Sequence, residues 1–512
     1  MRAVLITSEG REALARPMNP PSARAPISAA ALLLLLSWHC HARQEKPKVQ
    51  VPVWPRDAIF YQIFPERFAN GDSTNDPPGV RPWGGKPEVK NYFGGDLKGI
   101  IDHLSDLQRL GVNALYLTPI FESPTNHKYH TKDYLKIDHN FGDEETFKRL
   151  LDECHMRKMH LIIDGVFNHT GVHFFAFEDI KKNEAKSRFL AWYDVHSFPV
   201  GPPEKPNYEA WWGLGDLPKL MTNNPEVRDY LFNATRYWLK KGLDGWRLDV
   251  PNEISHDFWI QWRKLVKSEN PDAYIVGEIW DDATPWLHGD QFDAVMNYRF
   301  RGACVGFLAL QNLKASQFDS ILQVQRREYP DEVNSVLQNL IGSHDTERFL
   351  TLCAGDVGAL KLAVLMQMTY VGAPMVYYGD EIGMEGGKDP DCRHTMEWDS
   401  TKWNTGLWRW YQQLIGIRNA HPVFRHGSYK TVVVNDAGKL FGFVREDSLE
   451  RSLVVLNNQA YPQRVSVSGM VSGSRPWRDL ITSTPYEFNG TNEDSITVPA
   501  RSGVVLVTSA VQ

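Results

Sequence analysis

The sequence predicts an α/β chain: a (β/α)8 TIM barrel, an insertion after its third strand and a C-terminal antiparallel β-sandwich. Three observations predict it. Between residues 57 and 420 eight short β-rich apolar runs alternate with helical stretches, which suits a barrel better than an open doubly wound sheet. One gap, 168–221, is far too long for a connection and carries Phe174, Phe175, Trp192, Trp211 and Trp212 among several prolines. After His421 the pattern changes to short alternating strands with turns such as Asn435-Asp436-Ala437-Gly438.

The expected barrel strands are 59–64, 114–119, 161–167, 245–250, 274–279, 294–298, 336–341 and 374–378, with amphipathic helices at 97–110, 146–157 and 227–241. The barrel then occupies 43–168 and 222–420, the insertion 169–221, and the sandwich 421–512, with strands at 430–434, 440–445, 453–457 and 504–507. No Gly-x-Gly-x-x-Gly follows the first strand and no phosphate loop appears, so a nucleotide fold has no positive support.

Composition narrows the class. The chain has 512 residues, 42% of them hydrophobic and 23% charged, which excludes disorder, collagen-like repeats and coiled coil as descriptions of the whole. A net charge of −6 gives no general attraction to nucleic acid. Aromatic residues make up 12%, including 17 Trp; they fill cores and also suit stacking on sugar rings. Five cysteines without a Cys-x-x-Cys give no zinc-ribbon or redox framework, and buried free thiols are expected.

Residues 1–42 read as a signal peptide. Arg16 and Arg24 precede an apolar run at 27–38, which is too short for a transmembrane helix of about 20 residues. Export to the periplasm or medium follows, with a mature start near Arg43 and Met18 as a second candidate initiator. An N-terminal helix of the mature fold is the alternative. A lipoprotein anchor at Cys40 is poorly served by Ser37-Trp38-His39 before it.

In such a barrel the residues just after each strand converge on one mouth. The third strand carries Asp164 and is followed by Asn168-His169. The fourth reads Gly245-Trp-Arg247-Leu-Asp249, the fifth is followed by Glu278-Ile-Trp280, and the seventh by Ser343-His344-Asp345. Asp249, Glu278 and Asp345 should therefore share one mouth with Arg247, His169 and His344. A carboxylate pair of this kind suits glycoside hydrolysis by double displacement, one acid attacking and the other protonating the leaving oxygen. Arg247 lies two residues before Asp249, faces the same side of the strand, and is expected to keep it ionised. One such acid alone is usually structural, but buried charge is costly and this set is large. A metal-dependent hydrolase is the rival, since His and Asp also bind metals; His169 and His173 have a suitable spacing but fall in the insertion.

Asp164-Gly-Val-Phe-Asn-His169, Gly245-Trp-Arg-Leu-Asp249, Gly277-Glu-Ile-Trp280 and Ser343-His-Asp345 resemble, in order, the four short motifs of the α-amylase family, glycoside hydrolase family 13. The resemblance runs from about Trp54 to the C-terminus. It implies Asp249 as nucleophile, Glu278 as general acid/base and Asp345 as transition-state stabiliser. Arg247 orients Asp249, and Asp164 holds Arg247. His169, His344 and Tyr129 bind the sugar at the cleavage site. Leu217-Pro-Lys-Leu220, Asp249-Val-Pro-Asn-Glu253 and Asp389-Pro-Asp-Cys-Arg393 resemble the neopullulanase, cyclomaltodextrinase and maltogenic amylase branch. There Asp389 and Arg393 match a distal glucose subsite, and Trp280 matches the leaving-group side. His130 and Pro251 depart from that branch, which usually has Asp and Ala. That branch also begins with an extra β-domain, for which the stretch between the expected cleavage point and the first barrel strand leaves no room. A monomeric enzyme of the α-amylase or neopullulanase type, acting on starch-like α-1,4-glucans or pullulan, is the expectation. A cyclomaltodextrinase with transglycosylation is the alternative, and a non-catalytic glucan-binding protein the remote one.

The resemblance also implies a structural calcium ion. Asn70, Asp72, Asn75, Asp76, the Gly94 carbonyl and Asp96 match its ligands in that branch. From the residues alone, 70–76 is equally an Asn/Asp/Gly turn.

Overall fold

Eight parallel strands form in the expected places. They are β1 (Phe60–Ile63), β2 (Ala114–Leu117), β3 (His160–Gly165), β4 (Gly245–Leu248), β5 (Tyr274–Gly277), β6 (Ala294–Val295), β7 (Gln338–Leu340) and β8 (Ala373–Tyr377). This computed structural model describes residues 48–471 and 476–509, so the signal-peptide and Cys40 assignments lie outside the described residues. The order is sequential from β1 to β6, and β8 joins β1 to β7. A parallel bridge between Met296, just after β6, and Gln338 of β7 closes the ring. Apart from His160 at the start of β3, every strand residue is buried, as in a sheet covered on both faces.

The helices that return the chain are α1 (Leu97–Leu110), α2 (Glu144–Met156), α3 (Pro225–Lys240), α4 (His256–Glu269), α5 (Tyr298–Cys304), α6 (Ala315–Glu328), α7 (Val357–Thr369) and α8 (Thr405–Ala420). Most start on a side-chain cap: Asp96, Asp143, Asn224, Ser255, Asp356 and Asn404 each accept a backbone N–H of the first turn. Helix α1 stops at Gly111, whose φ of 100° suits glycine. One expectation fails. Eight strand–helix units were predicted, but among the described residues β5 and β6 are joined only by a 3-10 turn, Thr284–Trp286. Trp286, Pro285 and Gly289 sit where a helix would need uninterrupted periodicity.

The excursion after β3 holds one short helix, Phe175–Asn183, and isolated antiparallel bridges, His169 to Lys219 and Tyr193 to Leu220 among them. Its aromatics pack on each other: Phe175 meets Phe189 and Trp192, and Phe177 meets Tyr193 and Tyr208. A small core of its own therefore holds it over the barrel mouth.

At the C-terminal end β9 (Ser428–Asn435), β10 (Leu440–Glu446), β11 (Glu450–Asn457), β12 (Gln463–Ser466), β13 (Trp477–Asp479), β14 (Pro485–Tyr486), β15 (Ser495–Val498) and β16 (Ser502–Ser509) are antiparallel. Six form one sheet, β9-β10-β11-β16-β13-β14, and β12 pairs with β15 in a separate two-stranded ladder. The two enclose Leu453, Val455, Val465, Ile496, Val498 and Leu506. Buried Arg418 and Arg445 fasten this sheet to the barrel. Arg418 donates to Met368 O (2.9 Å), Arg445 to Thr369 O (2.8 Å), and both to Phe424 O, satisfying carbonyls at the open end of α7.

The four described cysteines, Cys154, Cys304, Cys353 and Cys392, are buried and unpaired, as expected. Among the described residues no helix is long and apolar enough to cross a membrane.

Candidate active site

The strand period builds the site. On β4, Trp246 turns outward against Phe167 and Trp262, so Arg247 turns inward. Asp164 of β3 lies in register beside it. Arg247 is fully buried, and its guanidinium serves three carboxylates. Nη1 donates to Asp164 Oδ1 (2.9 Å) and Oδ2 (2.8 Å) and to Asp249 Oδ1 (3.0 Å), while Nη2 pairs with Glu278 Oε2 (2.9 Å). Asp249 and Glu278 are thus two acids at adjacent strand ends, held by one cation.

A second set closes the site. Gln62 Nε2 donates to His344 Nδ1 (2.8 Å), which fixes the neutral ring with its proton on Nε2. That nitrogen lies 2.6 Å from the Tyr129 hydroxyl and 3.2 Å from Asp345 Oδ2. Tyr129 donates on to Asp164 Oδ2 (3.0 Å), which also accepts from Tyr116 (2.8 Å). Arg393 reaches Asp345 Oδ1 (3.2 Å) and Asp389 Oδ1 (3.0 Å), and its Nε donates to His344 O (2.8 Å). Trp280 donates its indole N–H to Glu278 Oε1 (3.1 Å) and stacks on Tyr298 at 3.8 Å. His169 stacks on Trp211 at 5.4 Å, and its buried Nε2 has no partner among the described residues. A buried donor or acceptor left free at a mouth is a group awaiting a ligand hydroxyl.

All ten catalytic and sugar-binding residues read from the sequence therefore lie around one mouth. Gln62, Tyr116, Tyr298 and Trp211 were missed. Gln62 carried a signal, since it is the one amide in the apolar strand Phe60-Tyr-Gln-Ile63. The metal-hydrolase reading loses its histidine pair, because His173 is turned away to Glu178 (2.8 Å) and does not join His169.

Electrostatics follow from burial. It pushes His169 and His344 down to about 3, so both rings are neutral near pH 7. Burial raises Asp345, but His344 and Arg393 outweigh it and leave that carboxyl below its usual range. Burial pushes Glu278 up to about 7 and lifts Asp249 well above the carboxylate range, with Arg247 opposing in both cases. Arg247 favours the ionised Asp249, as expected of it, while burial and the neighbouring acids oppose it. One guanidinium is shared by three acids, and three buried anions on one cation are too costly. Burial and the shared guanidinium therefore favour a proton held on the Asp249–Glu278 pair.

The calcium loop can be judged the same way. Asn70 Nδ2 donates to Asp76 Oδ1 (2.8 Å), and a Cβ on Gly94 (φ 85°) would lie 2.2 Å from that same oxygen. Asp96 accepts from Gly71 N, Asp72 N and Gly99 N and lies 3.4 Å from the Asn75 amide. Asn70, Asp76 and Gly94 meet at one point of the loop and Asn75 and Asp96 at another, whereas Asp72 Oδ1 is turned to Thr74 N (3.0 Å) and Thr74 Oγ1 (2.6 Å). The oxygen-bearing side chains are of the kind calcium takes, but the Asp72 carboxylate would have to turn to join them.

A search of protein families matches residues 62–415 to the alpha amylase catalytic domain. The chain belongs to the α-amylase family. It is a glycoside hydrolase of that family. Neopullulanase 2 of Thermoactinomyces vulgaris is 49% identical over 434 residues, 84% of this chain and 74% of that protein. Cyclomaltodextrinase of Thermoanaerobacter pseudethanolicus is 50% identical over 418 residues, 81% of this chain and 72% of that protein. A solved structure of a cyclic α-maltosyl-(1→6)-maltose hydrolase from Arthrobacter globiformis superposes with a TM-score of 0.84 at 41% identity. It covers 90% of this chain and 100% of that one.

Proposed function

We propose that the enzyme hydrolyses α-1,4-glucosidic bonds of starch-like glucans, maltooligosaccharides or pullulan with retention of configuration. The observation that carries this is the single buried Arg247 holding Asp249 and Glu278 at adjacent strand ends. Asp249 attacks the anomeric carbon, and Glu278 gives its proton to the departing oxygen. Asp249 must be anionic at that moment, and the positive charge developing on the sugar ring favours that state. A covalent glycosyl-enzyme forms. Glu278, now ionised, takes a proton from water, and that water releases an α-configured product. His169, His344, Tyr129 and Asp345 bind the ring that is distorted, and Asp389 and Arg393 bind a glucose further along. Proton NMR of the first turnovers tests this: the α-anomer is expected, and a β-anomer overturns double displacement.

The pair also sets the pH profile. The general acid Glu278 must carry the proton needed by the leaving group; once it ionises, cleavage slows. With Glu278 pushed up to about 7, the alkaline limb of kcat/KM should fall near pH 7. A profile flat to about pH 9 would contradict this assignment.

A second reading, cyclomaltodextrinase with transglycosylation, is favoured by the 50% identical relative of that name. Product profiles on starch, pullulan and β-cyclodextrin separate the two. A calcium ion held by Asn70, Asp72, Asn75, Asp76, Gly94 O and Asp96 would clamp the loop after β1 to the segment before α1, away from the catalytic acids. Ligand that binds only the folded state raises the melting temperature. Calcium added to chelator-treated protein should therefore raise it, and should not in Asp72→Ala/Asp76→Ala. Equal stabilisation of both would place the ion elsewhere.

A further inference from the structure

Immediately after Asp249 the backbone does something a valine resists. Val250 has φ 37° and ψ 49°, in the left-handed region where a β-branched side chain clashes with its own chain. It also precedes Pro251, whose ring drives the residue before it toward extended angles. Two rules are broken at one residue, and what surrounds it enforces the violation. Trp259, fully buried, donates its indole N–H to Pro251 O (2.8 Å). Glu253 N and Ile254 N close a turn back onto Val250 O (3.1 Å) and Pro251 O (3.2 Å).

The turn changes where one N–H points. In the parallel β4–β5 ladder, Leu248 pairs with Gly277 and Glu278 N donates to Leu248 O (3.0 Å). A ladder continued by one step would give the Val250 N–H to the main-chain carbonyl of Glu278. Instead it is given to the side chain, at Glu278 Oε2 (3.2 Å). That oxygen also faces the charge of the Arg247 guanidinium, whose Nη2 lies 2.9 Å away. Oε1 accepts the Trp280 indole N–H but faces no cation, so it is the oxygen with a lone pair left for the acidic proton.

We propose that the strained Val250–Pro251 turn, locked by Trp259, is a positioning device for the general acid: it aims a backbone N–H at Oε2 and so delivers the proton from Oε1. This rests on the hydrolase reading above. Strain held at an active site persists only where its surroundings over-determine it, so unlocking the turn should let Val250 relax and lose the aim. Glycine adopts left-handed angles freely and should keep the aim without the lock.

The test compares wild type, Trp259→Phe, Val250→Gly and the double variant on two substrates. One is a maltooligosaccharide, whose leaving alcohol needs a proton. The other is a nitrophenyl α-maltoside, whose leaving group departs without one. Trp259→Phe should lose roughly tenfold in kcat on the oligosaccharide and much less on the aryl substrate, with KM little changed. Adding Val250→Gly to Trp259→Phe should recover most of the loss, and Val250→Gly alone should raise the melting temperature. Equal losses on both substrates, no recovery in the double variant, or a lower melting temperature for Val250→Gly would each overturn the proposal. Wild-type protein inert on both substrates would overturn the hydrolase reading itself, before any variant is compared.

Discussion

Asp249→Asn should lower kcat by at least about a thousandfold, because removing a nucleophile abolishes the covalent route and leaves only binding and electrostatics. The fold should survive. Asn is isosteric, Arg247 keeps Asp164 and Glu278, and one of three anions crowding that guanidinium is gone. The melting temperature should accordingly stay level or rise, which separates a chemical role from a structural one. Asp249→Gly carries the argument further. It opens a hole where the carboxylate stood, and azide entering it should restore turnover on an aryl maltoside, releasing a β-configured glycosyl azide. A variant with more than about a tenth of wild-type kcat would remove Asp249 from the nucleophile's place.

How far the sequence foretold this depends on what each residue answers to. All eight strands and the sequential ring were legible, because buried parallel strands are continuous apolar runs and the chain between them is amphipathic. The missing helix between β5 and β6 was not, since eight units were counted from strands and the connection 284–286 was never read for itself. Asp164, Arg247, Asp249, Glu278, His344 and Asp345 were found because strand ends point to one mouth. Gln62 and Tyr116 lie inside apolar strands, where period alone says only that they face inward; that they grip His344 and Asp164 depends on which neighbouring strand faces them. Trp211 belongs to an irregular segment with no period at all, so its stacking on His169 needed the fold. The full set of charges around the pair was not legible for a related reason. Arg247 was read as orienting Asp249 and as held by Asp164; that it also pairs with Glu278 needed the fold. The strained Val250 could not be read at all, because Val-Pro in sequence favours extended backbone.

That sharing makes Arg247 the residue whose loss should do most damage outside the acids themselves. Arg247→Met keeps much of the volume but leaves Asp164, Asp249 and Glu278 buried with no cation between them. Breaking a buried pair from one side costs about 3–5 kcal/mol, since the remaining charge is uncompensated. The protein has one way to lessen this, which is to hold protons on those acids. Their folded pKa values then stand far above the unfolded ones, near 4. An acid raised in this way favours the folded state below its unfolded pKa, and that stability is lost as pH rises through the folded pKa. The deficit of Arg247→Met against wild type should therefore be small near pH 5 and large near pH 8, measured as melting temperature at each pH. Activity should fall at every pH, because an Asp249 kept protonated cannot attack. Arg247→Lys should rescue stability in part and activity little: its single ammonium restores one charge but cannot reach three carboxylates as a planar fork does. A deficit independent of pH would mean that packing, and not charge, is what Arg247 supplies.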